Sequence, residues 1–400
     1  YNIMNKPFVI APTYLLQSCA VGQIERHFFQ SIVTKGMKPI VVSAQYDIDP
    51  NSFNHPVVVV KENNIYRKVD LLCHKFGLRD LSHSPDYHYF ALKNQILKVG
   101  EYLAKDGKID YIHTISNPVS SHIIGSELKK KTGLPLVVQL YDPWHNNPFR
   151  KYKFPCFDKR DQRMEREVAE AADLIIFPNE ELLDSWAEYG EHLKTKMCVI
   201  PFCTEIPKIQ PFVHKDGELI ISHIGTLSKE RNSMHFLNAI ASLKDRYPSI
   251  VDQIKVNYVG TITQEEIDLI NSRGIRHIVN LVGRVSEEEC FKYYEDSDMF
   301  LIIDIDCEPN LFYPSKLLKY FCYQKPIIGL TKKDSVVYHE LSKTGNYLFR
   351  YEDEQSLEKF LLKAVTDYDS VNTNDKTYGE RFSVVSVCND YIKRVKEIFK

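Results

Sequence analysis

The chain has 400 residues, 44% of them hydrophobic and 26% charged, and a formal net charge of −2. That length exceeds what one core usually serves, so two domains are expected, each with a sizeable apolar interior. The balanced charge excludes the basic face that a phosphate polymer requires, and no nucleic acid partner is expected.

In chain order, strands are read at Phe8–Ala11, Pro39–Ser43, Tyr111–His113, Leu136–Leu140, Leu174–Phe177 and Cys198–Pro201. Amphipathic helices fall between them at Ile24–Lys35, stopped by Gly36, at Phe90–Ala104, at Ser120–Thr132, stopped by Gly133, and at Gln162–Ala172. Thr204–Gly217 holds Pro207 and Pro211 and lacks periodicity, which marks a linker. A second series follows, with strands at Leu219–Ile224, Lys255–Val259, Ile278–Val282, Phe300–Ile303 and Pro326–Gly329. Its helices lie near Ser233–Leu243, Gln264–Ser272, Glu287–Ser297 and Ser315–Tyr323. Ser286-x-x-Glu289 is a capping box, and Cys290, Phe291 and Tyr294 share one apolar face. Val384, Cys388, Tyr391, Val395 and Ile398 recur every three or four residues, so the chain ends in an amphipathic helix expected to cross back over the first domain. Such alternation is the signature of parallel sheets covered on both faces. The expected domains are 1–206, 207–380 and a terminal helix over 381–400.

Nine cysteines form no C-x-x-C pair and no paired Cys/His spacing, which argues against a disulfide framework or a zinc site and points to a reducing cytosol. No apolar run approaches the ~18–20 residues that cross a bilayer, and no charged-then-apolar leader opens the chain. The expected location is cytoplasmic. Peripheral membrane contact is left to Lys129-Lys130-Lys131 and Lys151-Tyr152-Lys153-Phe154, runs that equally suit solvated helix ends and loops.

The segment Met299 to Leu330 reads as a strand, a loop closed by Tyr313-Pro314-Ser315-Lys316, a short helix and another strand. Pro314 suits the first helical turn, and the amides of Ser315, Lys316 and Leu317 then point outward. Lys316 adds a full charge to the helix dipole, which makes a phosphate or diphosphate site; a plain helix start with a solvated lysine is the alternative. Glycine is scarce, 16 in all, yet Gly225, Gly260 and Gly283 each close a strand, where open α/β sheets hold ligands. In the loop Gly225 to Asn232, Arg231 could fork onto two phosphate oxygens. His223 is read as a core or cleft-wall residue, and Trp144 as packing or as a platform for an acceptor. Asp304-Ile305-Asp306 mimics a metal-binding Asp-x-Asp but is read as a strand terminus, so no metal and no cofactor are expected. Neither a dinucleotide nor a triphosphate glycine loop is present in the sequence.

Gly225-Thr226-Leu227…Arg231, Leu281-Val282-Gly283-Arg284-Val285 and Tyr313-Pro314-Ser315-Lys316-Leu317-Leu318-Lys319-Tyr320…Lys325-Pro326 together resemble the donor half of retaining glycosyltransferases of family 4. The first half agrees, through Ile24-Glu25-Arg26-His27, Ser116-Asn117-Pro118…Ser121-His122, and the Asp142-Pro143-Trp144…Asn147-Pro148-Phe149 of one bacterial subgroup. The resemblance implies an α/β fold of the GT-B type, two Rossmann-like domains facing a central cleft. It implies donor contacts from Gly22, Gly225, Thr226, Arg231, Gly283, Arg284, Val285, Glu308, Tyr313, Ser315, Lys316, Leu317 and Lys319. Ser116, His122, Tyr141, Asp142, Trp144 and His145 would lie on the acceptor side, with Asp142, Arg231 and Lys316 carrying the chemistry. Two departures stand out. Where the family has two glutamates eight positions apart, this chain has Leu311 and Lys319, with Glu308 three positions out of register; Tyr141 replaces a usual His or Arg. A lysine cannot accept hydrogen bonds from a ribose as a carboxylate does.

The expected function is a metal-independent, retaining transfer of a sugar from a nucleotide donor to a hydroxyl of a carbohydrate or lipid-linked acceptor. The alternatives are a non-catalytic binding member of the same fold and a nucleotide-sugar epimerase. Acceptor choice is assigned to the loops Tyr46–Asn54 and Trp144–Phe157, where no pattern constrains the chemistry.

Overall fold

The computed structural model describes residues 4–209 and 212–399; Pro211, one of the two linker prolines, lies outside the described residues. The chain divides into two compact units, one ending at Glu205 and resuming at Phe382, the other running Ile206–Arg381.

The first unit is built on strands β1 (Pro7–Ile10), β2 (Ile40–Ala44), β3 (Val57–Val60), β4 (Tyr111–Ile115), β5 (Leu136–Gln139), β6 (Leu174–Phe177) and β7 (Met197–Val199). They pair in the order β3-β2-β1-β4-β5-β6-β7, every neighbouring pair parallel. Every residue of β1, β4, β5 and β6 is buried, which is why β1 and β6 read as continuous apolar runs and why none of the four alternates; His113, Thr114 and Gln139 are buried polar members. The strand order reverses between β1 and β4, and the loops leaving those two strands therefore diverge and open a crevice. The terminal helix Val384–Ile398 belongs to this unit. Tyr391 stacks on His113 at 5.3 Å, and its hydroxyl lies 2.8 Å from that of Tyr111 and 2.9 Å from His113 Nδ1.

The second unit carries β8 (Leu219–Ile224), β9 (Ile254–Val259), β10 (Val279–Gly283), β11 (Met299–Ile303), β12 (Ile327–Leu330) and β13 (Tyr347–Phe349). Their order is β10-β9-β8-β11-β12-β13, again parallel throughout, and the reversal falls between β8 and β11. One face is covered by Met234–Arg246, which buries Phe236, Leu237 and Ile240, and by Glu354–Thr366, which buries Leu357 and Leu361. On the other face the helix Ser315–Cys322 presses Tyr320 flat on Phe300 of β11 at 4.4 Å. Burying rings of this size contributes about 1.5–3 kcal/mol each, so that helix is held firmly at the switch point.

Several sequence expectations change. The sheets gain two edge strands beyond the expected ones, the half-exposed β3 and β13. Helices Asn64–Lys75, Glu180–Ala187, Val336–Lys343 and Glu354–Thr366 are likewise additional. The capping box of Ser286 and Glu289 forms, and Thr263 with Glu266 makes another. Tyr294 is buried, whereas Phe291 is 44% exposed and does not share its face. Among the described residues no helix is long and apolar enough to cross a membrane. Lys129 is ion-paired to Asp173 and Lys131 to Glu101, so those two charges are already engaged.

Candidate functional site

In the second unit the loops at the carboxyl ends of β8 and β11 meet. Ser228 and Arg231 exchange two backbone hydrogen bonds, 3.0 and 3.1 Å, and the Asp306 amide donates to the Glu230 carbonyl at 2.8 Å. This clips Arg231 in place. Its Nε is buried and has no hydrogen-bond partner. Asp304 faces it electrostatically but spends its oxygens elsewhere, accepting from Thr331 Oγ1 at 2.8 Å and from the Ile305 amide. The Asp-x-Asp segment is thus a strand terminus. Asp304 is buried, and Asp306 pairs with Lys332 at 2.6 Å.

Lys316 comes to the same place from the helix Ser315–Cys322. Its Nζ lies 3.2 Å from His223 Nε2, while His223 Nδ1 lies 3.0 Å from the Leu301 carbonyl. A carbonyl can only accept, so Nδ1 carries the proton and Nε2 presents its lone pair to the ammonium. Burial, then the charge of Arg231, pushes the Lys316 ammonium down to about 7. Burial and Lys316 together keep His223 neutral. Two cations are therefore held half-buried, with no carboxylate among the described residues hydrogen-bonded to either, an arrangement chemically suited to an anion.

The strand-end glycines act as one unit. A Cβ on Gly225 (φ +137°) would stand 2.5 Å from Lys316 Nζ, and a Cβ on Gly260 (φ +132°) would stand 2.4 Å from the Gly225 carbonyl oxygen. The Gly260 amide in turn donates to the Gly283 carbonyl at 2.7 Å. The glycines were expected to admit a ligand to the backbone; Gly225 and Gly260 make room for the lysine and for each other. Beside them Thr226 Oγ1 lies 3.5 Å from Thr261 Oγ1, to which Arg284 Nε donates at 3.4 Å. Val285 is half-buried next to this group.

The helix N-terminus differs from expectation by one residue. Pro314 is the cap rather than the first turn, and the Leu317 amide donates to its carbonyl at 2.9 Å. The amides of Ser315 and Lys316 remain as the outward-facing donors of that turn. Tyr313 is turned inward, its hydroxyl donating to Glu340 at 3.0 Å. Lys319 pairs with Glu287 at 2.7 Å, and Glu308 is exposed on the loop after β11.

In the first unit the crevice between β1 and β4 gathers the other expected residues. Thr13 Oγ1 donates to the Asn117 carbonyl at 3.2 Å, Asn117 Nδ2 donates to Asp142 Oδ2 at 2.7 Å, and the Tyr141 amide donates to Ser116 Oγ at 3.3 Å. Burial pushes the Asp142 carboxyl up to about 6 despite the Asn117 bond. Tyr141 stacks on Phe202 at 4.8 Å and is structural. His122 lies 2.8 Å from Thr114 Oγ1 through Nδ1 and leaves Nε2 without a partner, as do the buried Oγ of Ser120 and Ser121 and the Nε1 of Trp144. The His145 amide donates to Glu165, whose carboxyl burial holds at about 7. Gly22 sits in the helix Ala20–Thr34, where a Cβ would meet the Thr13 carbonyl at 2.9 Å. Glu25 and His223 were not assigned to the site by sequence. Glu25 is buried with one oxygen unpartnered and a carboxyl raised to about 8 by burial. Nothing in the letters distinguishes such a glutamate from a solvated one.

These two switch-point crevices on twin parallel sheets define the GT-B architecture of nucleotide-sugar glycosyltransferases. Over 98% of the chain and 99% of the other, the fold superposes at TM-score 0.65 and 14% identity on Anabaena Alr3699/HepE in complex with UDP and glucose. It superposes equally on the lipopolysaccharide outer core galactosyltransferase WaaB, at TM-score 0.64, 14% identity and the same coverages, and on TarM, at TM-score 0.66 and 10% identity over 98% of each chain. No family model matches the chain. An uncharacterized glycosyltransferase of Methanocaldococcus jannaschii, MJ1059, is 23% identical over 167 residues, 39% of this chain. The chain spans about 40% of the length of that curated relative.

Proposed function

We propose that this protein transfers a sugar from a nucleoside diphosphate donor to a hydroxyl acceptor, with retention of anomeric configuration, as the family-4 resemblance implies. The observation that carries the reading is the pair Arg231 and Lys316, two half-buried cations that no carboxylate neutralises by a hydrogen bond. A departing diphosphate supplies the missing charge. Arg231 and Lys316, with the amides of Ser315 and Lys316, stabilise the negative charge that develops as the glycosidic bond breaks, so protein cations do the work. Thr226, Gly283, Arg284 and Val285 border the nucleoside end. Asp142, with His145, holds and orients the acceptor hydroxyl; Ser116, His122 and Trp144 are fully buried and act only as packing behind this surface, not as direct acceptor contacts. The ligands named for HepE (UDP, UDP-glucose, glucose) and for TarM (UDP with a glycosylated glycerol) support a uridine nucleotide sugar and a carbohydrate acceptor as the first compounds to try.

The test is a thermal-shift screen of nucleoside diphosphates and nucleotide sugars. A ligand at 100 times its Kd adds about 2.7 kcal/mol to unfolding, a shift easily seen. Arg231→Ala and Lys316→Ala should each remove most of it; undiminished shifts in both variants would refute the donor pocket. With a stabilising donor in hand, transfer to added glycans is followed directly. A donor that binds but is never consumed would mark a non-catalytic member, and one isomerised without acceptor would mark an epimerase.

A further inference from the structure

The helix Asn64–Lys75 buries none of its twelve residues, and an isolated helix of that length is marginal in water. Its Asp70 and His74 are four residues apart and share a face, and the short helix Arg79–Ser82 brings His83 to the same point. The three offer ligand atoms that all lie within 4.8 Å of one another. Asp70 Oδ1 is 3.7 Å from His74 Nε2 and 3.4 Å from His83 Nδ1, yet it is buried and has no hydrogen-bond partner. Those separations are too long for hydrogen bonds. They match the ~3.3 Å edge of a tetrahedron with ligands about 2.05 Å from a central ion. The two imidazole rings stand edge to face, 5.0 Å apart at 76°, so neither blocks the space between the three atoms. Ser82 Oγ lies 3.1 Å from both His83 Nδ1 and the Arg79 carbonyl, so metal binding at Nδ1 requires the Nδ1 proton to leave while the hydroxyl keeps the carbonyl as its acceptor.

We propose that Asp70, His74 and His83 form a divalent transition-metal site of the zinc type that pins the helix Asn64–Lys75 to the segment carrying His83. Two imidazoles and one carboxylate suit a borderline ion, and solvent completes the shell on the exposed side of His74. The site belongs to the first unit and shares no residue with the Arg231–Lys316 pair, so its role is structural. It runs against the sequence expectation of no metal, which rested on cysteine spacing and on Asp304-Ile305-Asp306 being a strand terminus, and in which Asp70-x-x-x-His74 with the distant His83 has no part.

The experiment uses the full chain stripped with a chelator and titrated with Zn²⁺ and, separately, with Co²⁺ as a visible probe. Asp70→Asn, nearly isosteric, tests the ligand set with little risk to folding, and a His74→Ala/His83→Ala double variant tests the imidazoles. The wild type should take up one more equivalent of zinc than either variant, show d–d bands of low-symmetry Co²⁺, and gain melting temperature with the metal. Asp70→Asn should bind at least tenfold more weakly, and Arg231→Ala should bind as the wild type does. Zinc stoichiometry and affinity unchanged in Asp70→Asn, or no metal uptake by the wild type, would overturn the assignment.

Discussion

The contact between Gly225 and Lys316 shows how tightly single residues are matched here. Lys316 occupies the volume a side chain at 225 would need, so Gly225→Ala must displace the ammonium and should weaken nucleotide diphosphate binding at least tenfold while the fold survives. Calorimetric titration of the variant checks this. The low position of Lys316, about 7, also fixes a pH dependence. Above that value the empty site loses its lysine proton, and a bound diphosphate must restore it. Affinity should fall by up to tenfold per pH unit above about 7, with proton uptake visible in buffers of different ionisation enthalpy. For stability the sign is opposite. Between pH 7 and the ordinary lysine range the unfolded chain holds the proton that the folded chain has lost, so this group's contribution rises with pH there. With Asp142 raised to about 6 and orienting the acceptor as proposed, transfer should climb as pH rises through 6, and Asp142→Asn should flatten that limb.

At the scale of elements, the helix Ser315–Cys322 carries both faces of the argument. Tyr320 and its neighbours anchor it to β11, while its first turn and Lys316 line the proposed diphosphate site. Lys319, on the same helix, pairs with Glu287 at the start of the helix Glu287–Asp296. Lys319→Glu therefore sets two carboxylates against each other instead of supplying a ribose ligand. We expect a loss of up to about 1 kcal/mol in denaturant unfolding, as for other partly exposed pairs, and no gain in nucleotide affinity. The strands β1 and β11 are legible in the sequence because burial on both sides leaves only apolar letters, and β4 and β8 because most of theirs are, with His113, Thr114, Ser222 and His223 as buried exceptions. β13, three half-exposed residues, carries no distinctive period, whereas the four valines of β3 are a β-branched run that the expected elements did not include. The helix Asn64–Lys75 is a different case: Ile65, Val69, Leu72 and Phe76 recur at helical spacing in the letters, and only the structure shows that this apolar stripe is exposed rather than packed on the core.

At the scale of the whole molecule, the last helix completes the first unit rather than the second, although it follows the second in sequence. Phe28, Tyr111 and His113 are sealed by Tyr391, and Cys388 packs at the Phe28 backbone. Removing Val384–Ile398 would expose that aromatic cluster, so the truncated chain should lose the cooperative unfolding of its first unit while the second still melts. Differential scanning calorimetry separates the two.

The order of the central strands and the helices between them, the two-unit plan and the positions of Arg231 and Lys316 near strand and helix ends follow from local letters, because burial periodicity and capping are short-range. What those residues face was settled only by tertiary packing. The sheet order brings the loops after β8 and β11 side by side, places His223 under Lys316, and leaves Asp304 near Arg231 but hydrogen-bonded elsewhere. The same holds for Asp70, His74 and His83. Charge and chemistry are written residue by residue, but desolvation and distance, which decide what a charge can do, exist only once remote segments have met.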